Sequence, residues 1–209
     1  MNILAIDTAT NACSAALLCN GTIHERFEVA PRQHTQLLLP MIESVLAAGG
    51  IGREQLDAIA FIAGPGSFTG IRITTSMAQG LSLGLNIPAI PMSSLLALAC
   101  GAKDETSCEE IFPCIDARRG QVYWAHYSFA ENSQEPTTVI EDRLTAADEM
   151  LASRTPNSII YGTGLPDARD EELRYPRAAN VLGVAAERLA AKRFNAPGDA
   201  HAIYFRRGT

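Results

Sequence analysis

The sequence predicts a mixed α/β protein made of two related lobes, the second smaller than the first. Three observations carry that prediction. The chain opens with a meander of strands, strands and helices then alternate, and an apolar strand ending in Ile-Asp begins each half. Those two strand ends are Ala5-Ile6-Asp7 and Cys114-Ile115-Asp116. Alternation after a meander calls for parallel crossovers within a mixed sheet. The expected division is 1–105 for the first lobe and 106–209 for the smaller second lobe, with the last helix free to pack back on the first.

In order, Ile3 to Ile6 and Cys13 to Cys19 are apolar runs of strand length, and Thr22 to Val29 is a third strand. Asn20-Gly21 joins the last two, because a type I′ hairpin turn needs positive φ at both central residues. A helix follows from about His34 to Ala48. Leu37, Leu38, Met41, Ile42, Val45 and Leu46 recur on one face, Pro40 lies inside, and Gly49-Gly50 ends it. Leu39 falls off that apolar face and hints at a second contact. Leu56 to Ala63 reads as a strand, 70–85 as a helix, Ala89 to Met92 as a strand, and a further helix starts near Ser93. In the second half, strands are expected at Ile111 to Ile115, Val122 to Phe129 and Ser158 to Tyr161. Ala130 to Pro136 is a loop, and helices are expected at Leu144 to Leu151 and Ala178 to Arg193.

The 209 residues are 47% hydrophobic and 19% charged, which places the chain among globular proteins rather than disordered or fibrous ones. Its five cysteines form no C-x-x-C pair and their number is odd, which suits a reducing compartment better than a disulfide framework. Asp7 interrupts the first apolar run too early for a signal peptide, and the run from Ile87 to Ala102 is broken by two prolines, so a cytoplasmic protein without a membrane span is expected. Net charge is −6, divided into −9 over residues 1–168 and +3 over 169–209. An acidic body disfavours autonomous nucleic-acid binding, which rests on neutralising phosphates. The basic C-terminal stretch reads first as a solvated helix face, and second as a surface for RNA held mainly by a partner.

The most informative motif is Gly64-Pro65-Gly66-Ser67-Phe68-Thr69-Gly70, between a predicted strand and a predicted helix. It lacks the lysine of a Walker A loop and the glycine spacing of a dinucleotide fingerprint. It can cradle phosphate at the helix start, or use its glycines for turn geometry alone, and both readings stand at this point. Gly162-Thr163-Gly164 is open to the same pair of readings. Asp7-Thr8 and Asp116 end apolar strands, where two carboxylates facing a cleft would hold a hydrated metal beside phosphates, or would cap turns. Ser76, Gly80 and Gly84 form a ridge of small residues on the second helix. Each internal glycine costs about 1 kcal/mol there, so either close packing on the sheet or contact with a helix of another subunit must account for them. The four histidines have no neighbouring ligand at helical spacing, and neither a serine elbow nor a zinc motif is present.

MNILAIDTAT at the N-terminus, GPGSFTGIRI at 64–73, IDARRGQVYWA at 115–125 and GTGL at 162–165 together resemble the TsaB (YeaZ) family of bacterial proteins required for threonylcarbamoyladenosine in tRNA. The resemblance covers nearly the whole chain. It implies the two-lobed fold of actin, Hsp70 and sugar kinases, an RNase H-like topology with a reduced second lobe. It also implies a non-catalytic relative of TsaD, the subunit that transfers threonylcarbamoyl from threonylcarbamoyl-AMP to the adenosine beside the anticodon. Where TsaD carries a His-x-x-x-His metal pair, this sequence places Ser94 and Leu98, which cannot replace two imidazoles.

What the resemblance implies is therefore a scaffold with no catalytic residue, no metal and no resident cofactor, with room for a nucleotide at a subunit interface. Its partners would be TsaD and the ATPase TsaE, with a homodimer in isolation, tRNA reached only through the complex, and no membrane. Vestigial phosphate-binding positions would be Asp7, Thr8, Gly64, Gly66, Ser67, Asp116, Gly162 and Gly164. The subunit interface would involve Leu37, Leu39, Met41, Ile42, Ile73, Ser76, Gly80 and Gly84. The family commonly continues past the position where this chain reaches Tyr204 to Thr209. A genuine ATPase or small-molecule kinase of the same fold is the alternative, and a protease is a third, poorer fit.

Overall fold

A computed structural model describes residues 1–131, 133–164 and 174–203. Its strands divide between two sheets. The first has the order β3-β2-β1-β4-β5, from β1 (Ile3–Asp7), β2 (Ala12–Cys19), β3 (Thr22–Val29), β4 (Ala58–Gly64) and β5 (Ala89–Ser93). β1, β2 and β3 are antiparallel, whereas β4 pairs parallel with both β1 and β5. The second sheet has the order β8-β7-β6-β9, from β6 (Glu110–Arg118), β7 (Gln121–Ser128), β8 (Thr137–Ala146) and β9 (Ser158–Gly162). Again the first three strands are antiparallel, and the fourth runs parallel to the first of them. The Ile-Asp repeat is thus the visible part of a repeated topology: β6 occupies the place of β1, and β9 that of β4.

Local chemistry accounts for most elements. Asn20 and Gly21 adopt φ values of 51° and 77°, as the hairpin turn requires. Helix α1 (His34–Gly49) runs through Pro40 and ends where Gly50 takes a left-handed conformation, at φ 66°. Leu38, Met41, Ile42 and Val45 pack its inner face onto the first sheet, in one core with Leu4, Ile6, Leu17, Ile59 and Phe61. Helix α2 (Phe68–Leu85) is capped by Ser67, whose hydroxyl oxygen accepts from the Gly70 N–H at 3.4 Å. Helix α3 (Ser94–Thr106) begins under the Ser93 hydroxyl, is buried along most of its length and packs between the two sheets. No helix among the described residues is long and apolar enough to cross a membrane.

Two expectations for the second half are corrected. The helix expected at Leu144 to Leu151 starts only at Ala147, where α4 (Ala147–Ala152) follows the ten-residue strand β8. Glu141, Asp142 and Arg143 hide the alternation of β8 in the sequence. As an edge strand paired on one side only, it carries Glu141 and Arg143 on its exposed face, while Asp142 on the other face accepts from Ser93 Oγ at 2.6 Å and from Tyr127 Oη at 3.1 Å. The helix expected from Ala178 to Arg193 begins instead as a 3-10 turn (Ala178–Val181) and becomes α5 (Leu182–Ala190). Tertiary hydrogen bonds hold that turn: the Ala178 N–H donates to Ser14 Oγ at 2.9 Å, and Asn180 Nδ2 donates to the Ala97 carbonyl at 3.2 Å. Helix α5 then packs on β1, β2, β4 and β5 of the first sheet.

Candidate functional site

The ends of β1, β4, β6 and β9 meet at a cleft of about 410 Å³ between the two sheets. From the first half it receives the turn Ala9–Asn11 and the Gly66-Ser67 start of α2. From the second it receives Asp116, Arg118, Tyr123 and Thr163, with Tyr175 closing one side. The eight positions expected there divide into two groups. Ser67, Gly66 and Asp116 form part of the wall, while Asp7, Thr8, Gly64, Gly162 and Gly164 lie behind it.

Each of the residues behind the wall has a packing role. Thr8 is buried, donates from Oγ1 to the Gly70 carbonyl at 2.7 Å and shares a 2.5 Å hydrogen bond with Thr74, so it ties β1 to the first turns of α2. The glycine-rich loop lies directly on that strand end: a Cβ at Gly66 would meet the Ala9 carbonyl oxygen, and one at Gly70 the Thr8 carbonyl oxygen. The second half repeats the contact. Gly162 sits at φ 144°, with the Cys114 carbonyl where a side chain would start, and the Thr163 and Gly164 N–H groups both donate to that carbonyl. The glycines therefore serve close backbone approach at both strand ends.

The two acids differ sharply. Asp7 is fully buried. Its Oδ1 accepts the Ala9 N–H at 2.8 Å, and its Oδ2 has no partner. Burial raises its pKa to about 7, against the lowering effect of the Ala9 and Thr8 N–H groups. Asp116 is partly exposed, accepts the Arg118 N–H at 2.8 Å and stands 3.4 Å from the Arg118 guanidinium. The expectation of two carboxylates facing one cleft is therefore corrected: Asp116 lines it, and Asp7 is sealed beneath it. No three His, Cys, Asp or Glu side chains converge among the described residues. Ser94 is buried and spends its hydroxyl on the Pro65 carbonyl at 2.6 Å, and Leu98 is buried in the core.

Arg118, Tyr123 and Tyr175 belong to the cleft without having been singled out for it, and Thr163 enters it from the Gly162-Thr163-Gly164 turn that was. One signal was available for Arg118. The β6–β7 hairpin places Arg118 and Arg119 at φ 70° and 57°, positions where Asn or Gly is the usual choice. Of the expected interface residues, Met41 and Ile42 lie inside the core and leave nothing for a partner to touch. Leu37 and Ile73 are half-buried, and Leu39, Ser76, Gly80 and Gly84 are exposed. Open space surrounds the missing side chains of Gly80 and Gly84, so the ridge faces outward, away from the sheet. Residues 165–173 and 204–209, which include Leu165 of the GTGL motif and the last basic residues, lie outside the described residues.

The repeated strand order, each half carrying an acid at the end of its first strand, defines an α/β protein of the actin-like, RNase H-like class. A family model described as TsaD, tRNA N6-adenosine threonylcarbamoyltransferase, matches residues 20–195. The tRNA threonylcarbamoyladenosine biosynthesis protein TsaB of Escherichia coli K12 is 38% identical over 99% of this chain and 95% of its own length. The TsaB protein of Haemophilus influenzae is 46% identical over 78% of this chain and 72% of its own length. The structure of YeaZ from Pseudomonas aeruginosa superimposes with a TM-score of 0.87 at 33% identity, covering 98% of this chain and 99% of that one. The chain belongs to the TsaB (YeaZ) family.

Proposed function

We propose that this chain is a non-catalytic subunit of the cytoplasmic machinery that makes threonylcarbamoyladenosine in tRNA. In this reading it supports a TsaD-type transferase, with the ATPase TsaE joining the pair, and contacts tRNA only through them. The names of its relatives supply the pathway. The observation that carries the scaffold role is the outward ridge Ser76–Gly80–Gly84. Gly80 and Gly84, one turn apart with open space above them, cost helix stability in the monomer, and with exposed Ser76 a turn earlier they permit another helix to approach closely. Leu39 and Leu83, both exposed, extend that face with apolar surface. Ser94 and Leu98 support the absence of catalysis, since one hydroxyl already bonded to a backbone carbonyl and one core leucine offer no metal ligand pair.

The test is reconstitution by omission. Cognate transferase, ATPase, threonylcarbamoyl-AMP synthase, ATP, threonine, bicarbonate and tRNA are combined with and without this chain, and modified adenosine is followed by mass spectrometry. Product is expected only with the chain present, and Gly80→Arg is expected to abolish both product and association while leaving circular dichroism unchanged. Equal product without the chain would sink the proposal. Product formation by the Gly80→Arg chain, with association intact, would move the pairing face elsewhere.

A further inference from the structure

Beside the cleft, a second cavity of about 570 Å³ opens between the N-terminal ends of α1 and α2. Arg32, His34 and Thr35 enter it from the start of α1, Thr69 and Ile73 from α2, and Arg118 from the β6–β7 hairpin. His34 Nε2 is shut off from solvent and has no hydrogen-bond partner, which leaves a buried polar atom unsatisfied. Arg32 holds a left-handed backbone at φ 69° and Arg118 at φ 70°, conformations that L residues other than Asn and Asp rarely adopt. Helix α1 has Gln33 at its N-cap position with no side-chain cap, so its first N–H groups add to the positive field. Among the described residues Arg32 forms no ion pair, and Arg118 pairs only with Asp116.

We infer that this cavity receives one carboxylate side chain from the subunit that pairs over α1 and α2, an inference that rests on the pairing proposed above. The charge balance selects the ligand. Two guanidiniums against the Asp116 carboxylate leave a single positive charge, which one carboxylate neutralises. A polyphosphate would bring several negative charges close to Asp116, which lines the adjoining cleft and pairs with Arg118. The donors fit as well: the guanidinium fork of Arg32, beside the uncapped first N–H groups of α1, can take both oxygens of one carboxylate. Position makes the source a pairing subunit. Ile73 of the cavity wall is one turn from Ser76, so a chain crossing the glycine ridge passes the cavity mouth.

Two measurements on the full chain test this. In the first, the isotopically labelled protein is titrated with N-acetylglutamate amide and, separately, with pyrophosphate, and amide and imidazole NMR shifts are followed. The carboxylate is expected to move Arg32, His34 and Thr35 at millimolar concentration, with the response lost in Arg32→Gln. No response, or pyrophosphate binding ten times more tightly, overturns the assignment of a carboxylate. In the second, sedimentation measures self-association at low and high salt. Arg32→Gln is expected to raise the dissociation constant about tenfold at low salt, with the difference closing as ionic strength rises. A normal NMR response with an unchanged dissociation constant overturns the partner as the source. A chain that stays monomeric, or whose Gly80→Arg variant sediments like the parent, fails the pairing reading and this inference with it. The titration then still reports which anion the cavity accepts.

Discussion

The two halves of the molecule place the same three features in the same order, and use them differently. In each, a first strand ends in Asp, a hairpin returns, and a parallel fourth strand leads into a glycine turn packed on that strand end. In the first half the acid is buried with an unpartnered oxygen, beneath a turn that starts the long helix α2. In the second half the acid is at the surface of the cleft, bonded to its own hairpin and to Arg118. The helix after the third strand has shrunk from the sixteen residues of α1 to the six of α4. Topology repeats because strand pairing and crossover handedness restrict it, whereas the fate of a side chain at the same topological position depends on what covers it. A repeated plan therefore yields one buried acid with its pKa raised to about 7 and one solvated, paired acid instead of a matched pair.

The largest effect expected from breaking this symmetry is at the glycine turns. Gly162→Ala must both hold φ at 144° and displace the Cys114 carbonyl, whereas Gly66→Ala meets only the Ala9 carbonyl. Losses of about 4 and about 3 kcal/mol are expected, respectively, read from chemical denaturation. Equal stability of either variant and its parent would show that the strand end yields, and that the close approach is not required.

Comparable in size is the pH dependence carried by Asp7. Its folded pKa of about 7 lies above the unfolded value, so the folded state binds the extra proton. Stability from this group is fully present below the unfolded pKa near 4, and is lost as pH rises through about 7. Measured by urea denaturation, the parent should lose up to about 4 kcal/mol relative to Asp7→Asn between pH 4 and pH 8. Parallel stability curves for the two proteins would mean that Asp7 is ionised in a solvated site. The smallest effect is expected at the matching acid of the other half. Asp116→Asn keeps the bond from the Arg118 N–H and gives up only an exposed ion pair, so stability should change by less than about 0.5 kcal/mol and the change should vanish in high salt. A change as large as that at Asp7 would erase the distinction between the halves.

Much of the fold could be read from single segments. Asn20-Gly21 announces its hairpin, the spacing from Leu38 to Val45 announces α1, and Ser67 with Gly70 marks the start of α2. Each of these rests on neighbours within a few residues. Strand β8 was not legible because its charges, acceptable at a sheet edge, mask the alternation. The 3-10 start of the last helix was not legible because Ser14 and Ala97, far away in sequence, compete for its backbone and side chains. In the site, the glycine loops, with Thr163 inside the second, and Asp116 could be found by motif, whereas Tyr123 and Tyr175 enter the cleft only because the two sheets face each other.

The sequence by itself determined the order of elements in the first half, the repeated Ile-Asp strand ends, the glycine turns and the family, since all of these are written in local periodicity, turn chemistry and motif spacing. Only the tertiary structure decided which acid is exposed, which glycines face open space, and which arginines share a cavity. Burial and charge pairing depend on residues brought together from distant parts of the chain, and a carboxylate such as Asp7 takes its chemistry from what is packed around it.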